Sequence, residues 1–180
     1  MKILLVVDVQ KDFIDGALGS EAAQKVLPAI KDYVEKFREY RENCDKIIFT
    51  QDTHCVYDSS KRIEMQRVPK HCIADTIGSA IMIPIAANDT VYQKDSFMMD
   101  FDDIEKFRSY LDAYRGESEI EIIGYCTDIC VISNALLLRK MFPYTPITII
   151  ENLCAGTSEE AHKAALTVAK SCLIDVRTEE

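Results

Sequence analysis

Tryptophan is absent from this chain, histidine occurs only at positions 54, 71 and 162, and no apolar run approaches the roughly 18 residues of a membrane-crossing helix. Without tryptophan, any aromatic stacking surface has to come from phenylalanine or tyrosine. Basic residues are also in deficit: 21 lysines and arginines face 30 acids, a net charge of -9. Such a surface argues against nucleic acid and anionic membranes as partners. Small substrates stay open, because a local pocket can differ from the average. The run Met1 to Asp8 is too short for a secretory signal and reads as a strand from its start. Seven cysteines, an odd number without such a signal, are expected as reduced thiols in a cytoplasm and not as a disulfide frame. Repeats, low-complexity tracts and linkers are missing too. The 180 residues, 48% of them hydrophobic, suit one domain spanning 1–180 with a substantial core.

What is present is alternation. Lys2 to Val9 is a nearly continuous apolar run, as expected of a strand buried on both faces. A glycine-containing loop from Gln10 to Ser20 precedes helical spacing at Ile30, Val34 and Phe37, with Pro28 tolerable only in a first turn. Further strands are expected at Lys46 to Thr50, Thr90 to Gln93, Glu119 to Ile123, Ile147 to Glu151 and Cys172 to Val176. Helical patterns fall between them at about Asp102 to Tyr114 and Val131 to Met141. Thr157 with Glu160 makes a capping box for a helix through Lys170. This order predicts an α/β three-layer sandwich: a doubly wound, mostly parallel six-stranded sheet with helices on both faces. Gln51 to Ile85 shows little periodicity, and so long an irregular stretch is usually functional.

Polar residues at the strand ends share one rim of such a sheet, where open α/β folds bind ligands. Asp8, Asp52 with His54, Lys94 and Cys130 arrive there from four strands. Cys130 falls in the first turn of a helix, where unpaired N–H groups and the helix dipole favour a thiolate. A cysteine nucleophile needs a proton acceptor, and Asp8 is the candidate, with Lys94 holding it ionised. Backbone N–H groups near Cys126 and Cys130 can receive an oxyanion. The set fits acyl transfer through a thioester. Asp52, His54 and His71, with Glu64 as a fourth group, suit a divalent ion such as Zn²⁺, Mn²⁺ or Fe²⁺. The alternative is that Asp52 and His54 only hydrogen-bond loop backbone. His162, in a surface helix, is expected to face solvent.

Taken together, these residues resemble the isochorismatase-like cysteine hydrolases, and within them the nicotinamidases, from Asp8 to about Thr157. Asp8-Val-Gln-Lys-Asp-Phe13 is similar to the family's opening strand and loop, which implies Asp8 as general base and Phe13 as a pocket aromatic. Thr50-Gln-Asp-Thr-His54 with Pro69-Lys-His-Cys72 resembles the nicotinamidase metal motif, implying Asp52, His54 and His71 as ligands. Lys94 matches the catalytic lysine. Gly124-Tyr-Cys-Thr-Asp-Ile-Cys130-Val resembles the nucleophile motif Gly-x-Ala-Thr-Asp-x-Cys-Val. The resemblance further implies a cis peptide before Cys126. Val68 stands where many nicotinamidases carry an aromatic, so ring stacking falls to Phe13, Phe97, Phe101 or Tyr125, with Ile129 beside them.

The expected activity is hydrolysis of nicotinamide to nicotinate and ammonia by Asp8, Lys94 and Cys130, aided by a divalent metal, zinc first. A different small amide or carbamoyl substrate is the alternative. Two other classes, a non-catalytic metal-binding scaffold and a thiol redox protein, lack comparable motif support. Relatives are often oligomers, so a homo-oligomer is allowed.

Overall fold

A computed structural model describes residues 1–57, 63–114 and 116–179. Six parallel strands form its sheet: β1 (Lys2–Val7), β2 (Lys46–Asp52), β3 (Thr90–Lys94), β4 (Glu119–Tyr125), β5 (Ile147–Ala155) and β6 (Asp175–Arg177). Their order is β3-β2-β1-β4-β5-β6, so the chain winds outward from β1 in one direction and then in the other. The reversal lies between β1 and β4, whose carboxyl ends therefore flank a crevice.

Alternation along the strands divides the interior into two cores. Ile3, Leu5 and Val7 face one way, with Ile104 and Phe107 of α4 (Phe101–Ala113), Leu138 of α5 (Ile132–Met141) and Leu166 of α6 (Glu159–Ser171). Leu4 and Val6 face the other way, with Ile30 and Val34 of α2 (Glu21–Tyr40) and Phe13 and Ile14 of α1 (Lys11–Ile14). Helices thus cover both faces, as the alternation predicts. Among the described residues, no helix is long and apolar enough to cross a membrane.

Four local expectations need correction. The loop before α2 contains the short α1, and Ser20 caps α2 by accepting from the Ala23 N–H at 3.1 Å. Pro28 consequently lies well inside α2, where it removes the bond to the Gln24 carbonyl; burial of Ala23, Ile30 and Val34 carries the helix through it. Ser158 and not Thr157 caps α6, accepting from Ala161 N–H at 3.1 Å. β6 begins at Asp175 and not Cys172, because α6 ends in a Schellman turn. In that turn Leu173 takes a left-handed φ of 62°, and the Ile174 N–H donates to Ala169 O at 3.0 Å.

The irregular stretch holds α3 (Ile63–Arg67) and a 3₁₀ turn at Ile77–Ser79, while residues 58–62 of it lie outside the described residues.

Candidate active site

Beyond the last pairing of β1, Asp8 turns the chain with φ 48°, a left-handed conformation that costs a non-glycine residue on the order of 1–3 kcal/mol. Thr50 of β2 fixes it twice. The Asp8 N–H donates to Thr50 Oγ1 at 3.1 Å, and the Thr50 hydroxyl donates to Asp8 Oδ1 at 2.6 Å. Lys94, the last residue of β3, is fully buried, with Nζ 2.7 Å from Asp8 Oδ2 and 3.6 Å from Cys130 Sγ. It also donates to Ser96 O at 2.9 Å.

Cys130 is placed by a demanding backbone. Gly124 has φ 120°, and a Cβ there would stand 2.1 Å from Val7 O, so no other residue fits. The Tyr125–Cys126 peptide is cis. Cys126 then caps a wide π-type turn, Thr127–Val131, that continues directly into α5. Asn134 of α5 holds this turn: its Nδ2 donates to Cys130 O at 2.8 Å, and its Oδ1 accepts from Met99 N–H at 2.9 Å.

Burial decides the protonation here. It raises the Asp8 carboxyl above its ordinary range even though Lys94 pulls the other way. For Lys94, burial opposes the charge, but Asp8, Cys130 and Asp52 together hold the ammonium firmly. The Cys130 thiol is pushed well up by burial and by Asp8, with only partial relief from Lys94. A resting thiolate favoured by the helix dipole is therefore not what this geometry gives. One ammonium faces two groups that share one proton, and they titrate as a unit.

A second cluster adjoins the first through Asp52. Asp52 Oδ1 lies 3.5 Å from Lys94 Nζ, while Oδ2 lies 2.7 Å from His54 Nε2 and 3.4 Å from His71 Nε2. All three ligand atoms of Asp52, His54 and His71 fall within 4.8 Å of one another, and all three residues are buried. His71 donates its Nδ1 proton to Pro69 O at 2.9 Å, so a neutral ring points an Nε2 lone pair at Asp52 and at Glu64 Oε1, 3.5 Å away. Lone pair against carboxylates requires a cation. In the ion's absence a proton serves: burial opposes it, but Asp52 and Glu64 raise His71 to about 10. Among the described residues, the buried His54 Nδ1 has no hydrogen-bond partner. The donor set of nitrogens and carboxylate fits a divalent metal. Glu64 stands beside the three-residue group and not within it.

Cys130 of the first cluster and His71 of the second border a cavity of about 700 Å³. Phe13, Glu64, Val68, His71, Phe97, Cys126, Ile129 and Cys130 are among the residues that line it. Two expected pocket residues do not. Phe101 is 84% exposed at the start of α4, and Tyr125 is fully buried in the core, its hydroxyl donating to Ala23 O at 2.7 Å. Tyr125 ends a strand paired on both sides, so its side chain belongs to the α2 face. A larger hollow of about 870 Å³ at the opposite end of the sheet includes Tyr33, Tyr144 and Glu121 but neither cluster.

Sequence reasoning missed several supports. Gln10 is fully buried and clamps Asp52, donating to Asp52 O at 2.8 Å and accepting from Asp52 N–H at 2.8 Å. Asp12 accepts from the Cys72 N–H at 2.8 Å, where Cys72 takes φ 47° next to His71. The signal for both was their place in the Asp8-to-Phe13 run. His162 was expected in solvent, but it is half-buried and bonded through Nδ1 to Thr127 Oγ1 at 2.8 Å.

An α/β sheet with a cysteine, an aspartate and a lysine converging at its switch point defines a class of hydrolase-like folds. The family sequence model described as Isochorismatase domain matches residues 2–180, and the chain belongs to that family. It is 24% identical over 195 residues to the nicotinamidase/pyrazinamidase of Mycobacterium tuberculosis, covering 98% of each chain. The nicotinamidase structure from Bacillus subtilis superposes with a TM-score of 0.82 at 27% identity, covering 98% of both chains. The pyrazinamidase of Pyrococcus horikoshii in complex with zinc gives 0.80 at 22% identity over 99% of both. Family and relatives together make the chain an enzyme of the nicotinamidase type, hydrolysing an amide C–N bond.

Proposed function

We propose that the enzyme, a single domain over residues 1–180, is a nicotinamidase that works through a Cys130 thioester. The observation that carries this reading is the unbroken chain Asp8–Lys94–Cys130, which reaches at Cys130 the cavity that His71 of the Asp52–His54–His71 group also lines.

As the amide enters, the Cys130 proton passes to Asp8 and the sulfur attacks the carbonyl carbon. Asp8 suits this step because burial raises its affinity for a proton, while Lys94 stays charged and faces both groups. The backbone N–H groups of Cys126 and Cys130 receive the oxyanion. On collapse the proton moves from Asp8 to the leaving nitrogen, and ammonia departs. Water then attacks the thioester, giving its proton to Asp8, and nicotinate leaves as the thiol re-forms.

Asp52, His54 and His71 would hold a divalent ion; when bound, it supplies a Lewis acid that orients the substrate through its pyridine nitrogen. Zinc is the first candidate, since the Pyrococcus horikoshii relative was determined with zinc. Phe13 and Phe97, on the cavity wall, are the aromatics left to contact the ring. Val68 on that wall favours a second reading, a different small amide or carbamoyl substrate processed by the same steps. Ammonia release from nicotinamide against a panel of small amides separates the two, with Cys130→Ala as control and metal content measured in parallel. Ammonia released only from another amide would replace the substrate and keep the mechanism.

A further inference from the structure

Behind the nucleophile, away from Lys94 and the metal group, lies a second set of hydrogen bonds that the chemistry above does not use. Thr127 and Asp128 sit between Cys126 and Cys130 on the wide turn. Thr127 is fully buried, and its hydroxyl lies 2.8 Å from Nδ1 of His162 on the first turns of α6. Asp128 receives two bonds from Thr157, one from the backbone N–H at 2.8 Å and one from the hydroxyl at 2.5 Å. Between them Gly156 packs so closely that an added Cβ would stand 2.7 Å from Asp128 Oδ1 and 2.9 Å from His162 Cβ. The loop from β5 to α6 and the first turns of α6 are thus joined to the turn by three hydrogen bonds, and Ala155, Gly156 and Thr157 also line the cavity.

The geometry points to His162 as a positioning residue that, through Thr127, fixes the turn presenting Cys130 and the oxyanion-binding N–H groups. Burial lowers the proton affinity of His162, so the ring is neutral near pH 7 and the Thr127 hydroxyl can donate to Nδ1. No other hydrogen-bond partner of the Thr127 hydroxyl is found among the described residues, so losing His162 leaves a buried hydroxyl unpaired beside the nucleophile. Misplacing a reacting group by about 1 Å costs on the order of 10²-fold in rate. A clasp of this kind acts on the chemical step and not on substrate affinity.

The inference rests on the Cys130 thioester mechanism and is tested on two substrates. One is nicotinamide; the other is p-nitrophenyl acetate, whose burst of p-nitrophenolate needs the nucleophile and the turn but no cognate amide. His162→Leu and Thr127→Val remove the bond while keeping approximate shape. Each is expected to lower kcat, and the burst rate, by about 10-fold or more with KM changed less than about twofold. The double variant is expected to be no worse than the poorer single, because both remove one bond. His162→Asn, whose amide can reach the position of Nδ1, and Thr127→Ser are expected to recover most of the rate.

Rates within about twofold of wild type in folded His162→Leu would overturn the inference, as would a loss His162→Asn leaves unrepaired or one that follows falling thermal stability alone. If Thr127→Val fails to fold, His162→Leu against His162→Asn decides. A wild-type enzyme that shows the ester burst but releases no ammonia from nicotinamide sinks the nicotinamide reading and leaves the burst comparison to judge the clasp.

Discussion

Buried charge occurs at both ends of this sheet, and the two ends treat it differently. On the amino-terminal side, Glu121 of β4 accepts from the Tyr33 hydroxyl at 2.6 Å and from Arg177 at 2.7 Å, one partner per carboxylate oxygen. Arg177 remains 41% exposed and can stay hydrated. At the carboxyl rim, Asp8, Lys94, Asp52, His54 and His71 are all buried together, and burial raises the proton affinity of both Asp8 and the neighbouring Cys130. One cluster satisfies its groups and pins β6 beside α2. The other holds an acid and a thiol that compete for one proton, and an imidazole lone pair aimed at carboxylates. Groups held in such tension are what proton transfer and metal binding use.

The sharpest way to separate the two ends is to remove the sulfur. Cys130→Ala should lower ammonia release by on the order of 10⁴-fold or more, while the thermal transition moves by no more than a few degrees. Substantial residual hydrolysis would end the thioester mechanism. Asp8→Asn comes next, with a loss of about 10²–10⁴-fold. Its pH signature has a definite sign. Burial lifts Asp8 above the ordinary carboxylate value of about 3.9, and a protonated Asp8 cannot accept the Cys130 proton. The acid limb of kcat/KM should therefore fall as pH drops through that raised value, and it should disappear in Asp8→Asn. An unchanged limb would assign it elsewhere.

The metal half of the rim predicts a smaller, different loss. His71→Ala, or chelation of the wild-type enzyme, should strip the bound divalent ion, read by elemental analysis, and raise KM for nicotinamide by about 10–100-fold. If verified metal-free enzyme keeps its kinetics, the ion has no part in placing substrate.

Legibility in the sequence followed the same divide. All six strands and the two-faced helical cover could be read, because apolar runs and helical spacing are local signals. The rim could also be read, since Asp8, Asp52, Lys94 and Cys130 each follow or end a strand and a parallel sheet collects such positions. Side-chain direction could not. Tyr125 shortly precedes the nucleophile in sequence and Phe101 shortly follows Lys94, yet one turns into the α2 core and the other into solvent. Thr50 and Asn134 were missed because they act through tertiary hydrogen bonds to Asp8 and Met99, far away in sequence, which no spacing announces. The thiol shows the limit most clearly. A helix start suggested a thiolate, but complete burial beside a carboxylate outweighs the dipole of one turn.

The smallest expected effect tests the quieter end. Tyr33→Phe removes the hydroxyl that donates to Glu121 and accepts from Arg177 at 3.2 Å, and leaves the ion pair between Arg177 and Glu121 in place. A hydrogen bond to a charged group contributes about 1.5–3 kcal/mol, and half-exposure of Tyr33 places this one at the lower bound. For a chain of this length, about 1.5 kcal/mol lowers the transition temperature by roughly 3–6 °C. Because the pair lies across the sheet from Cys130, kcat and KM should not move. A change in kcat without a change in stability would mean that the two ends communicate through β4, which carries Glu121 near its start and leads into the nucleophile turn at its end.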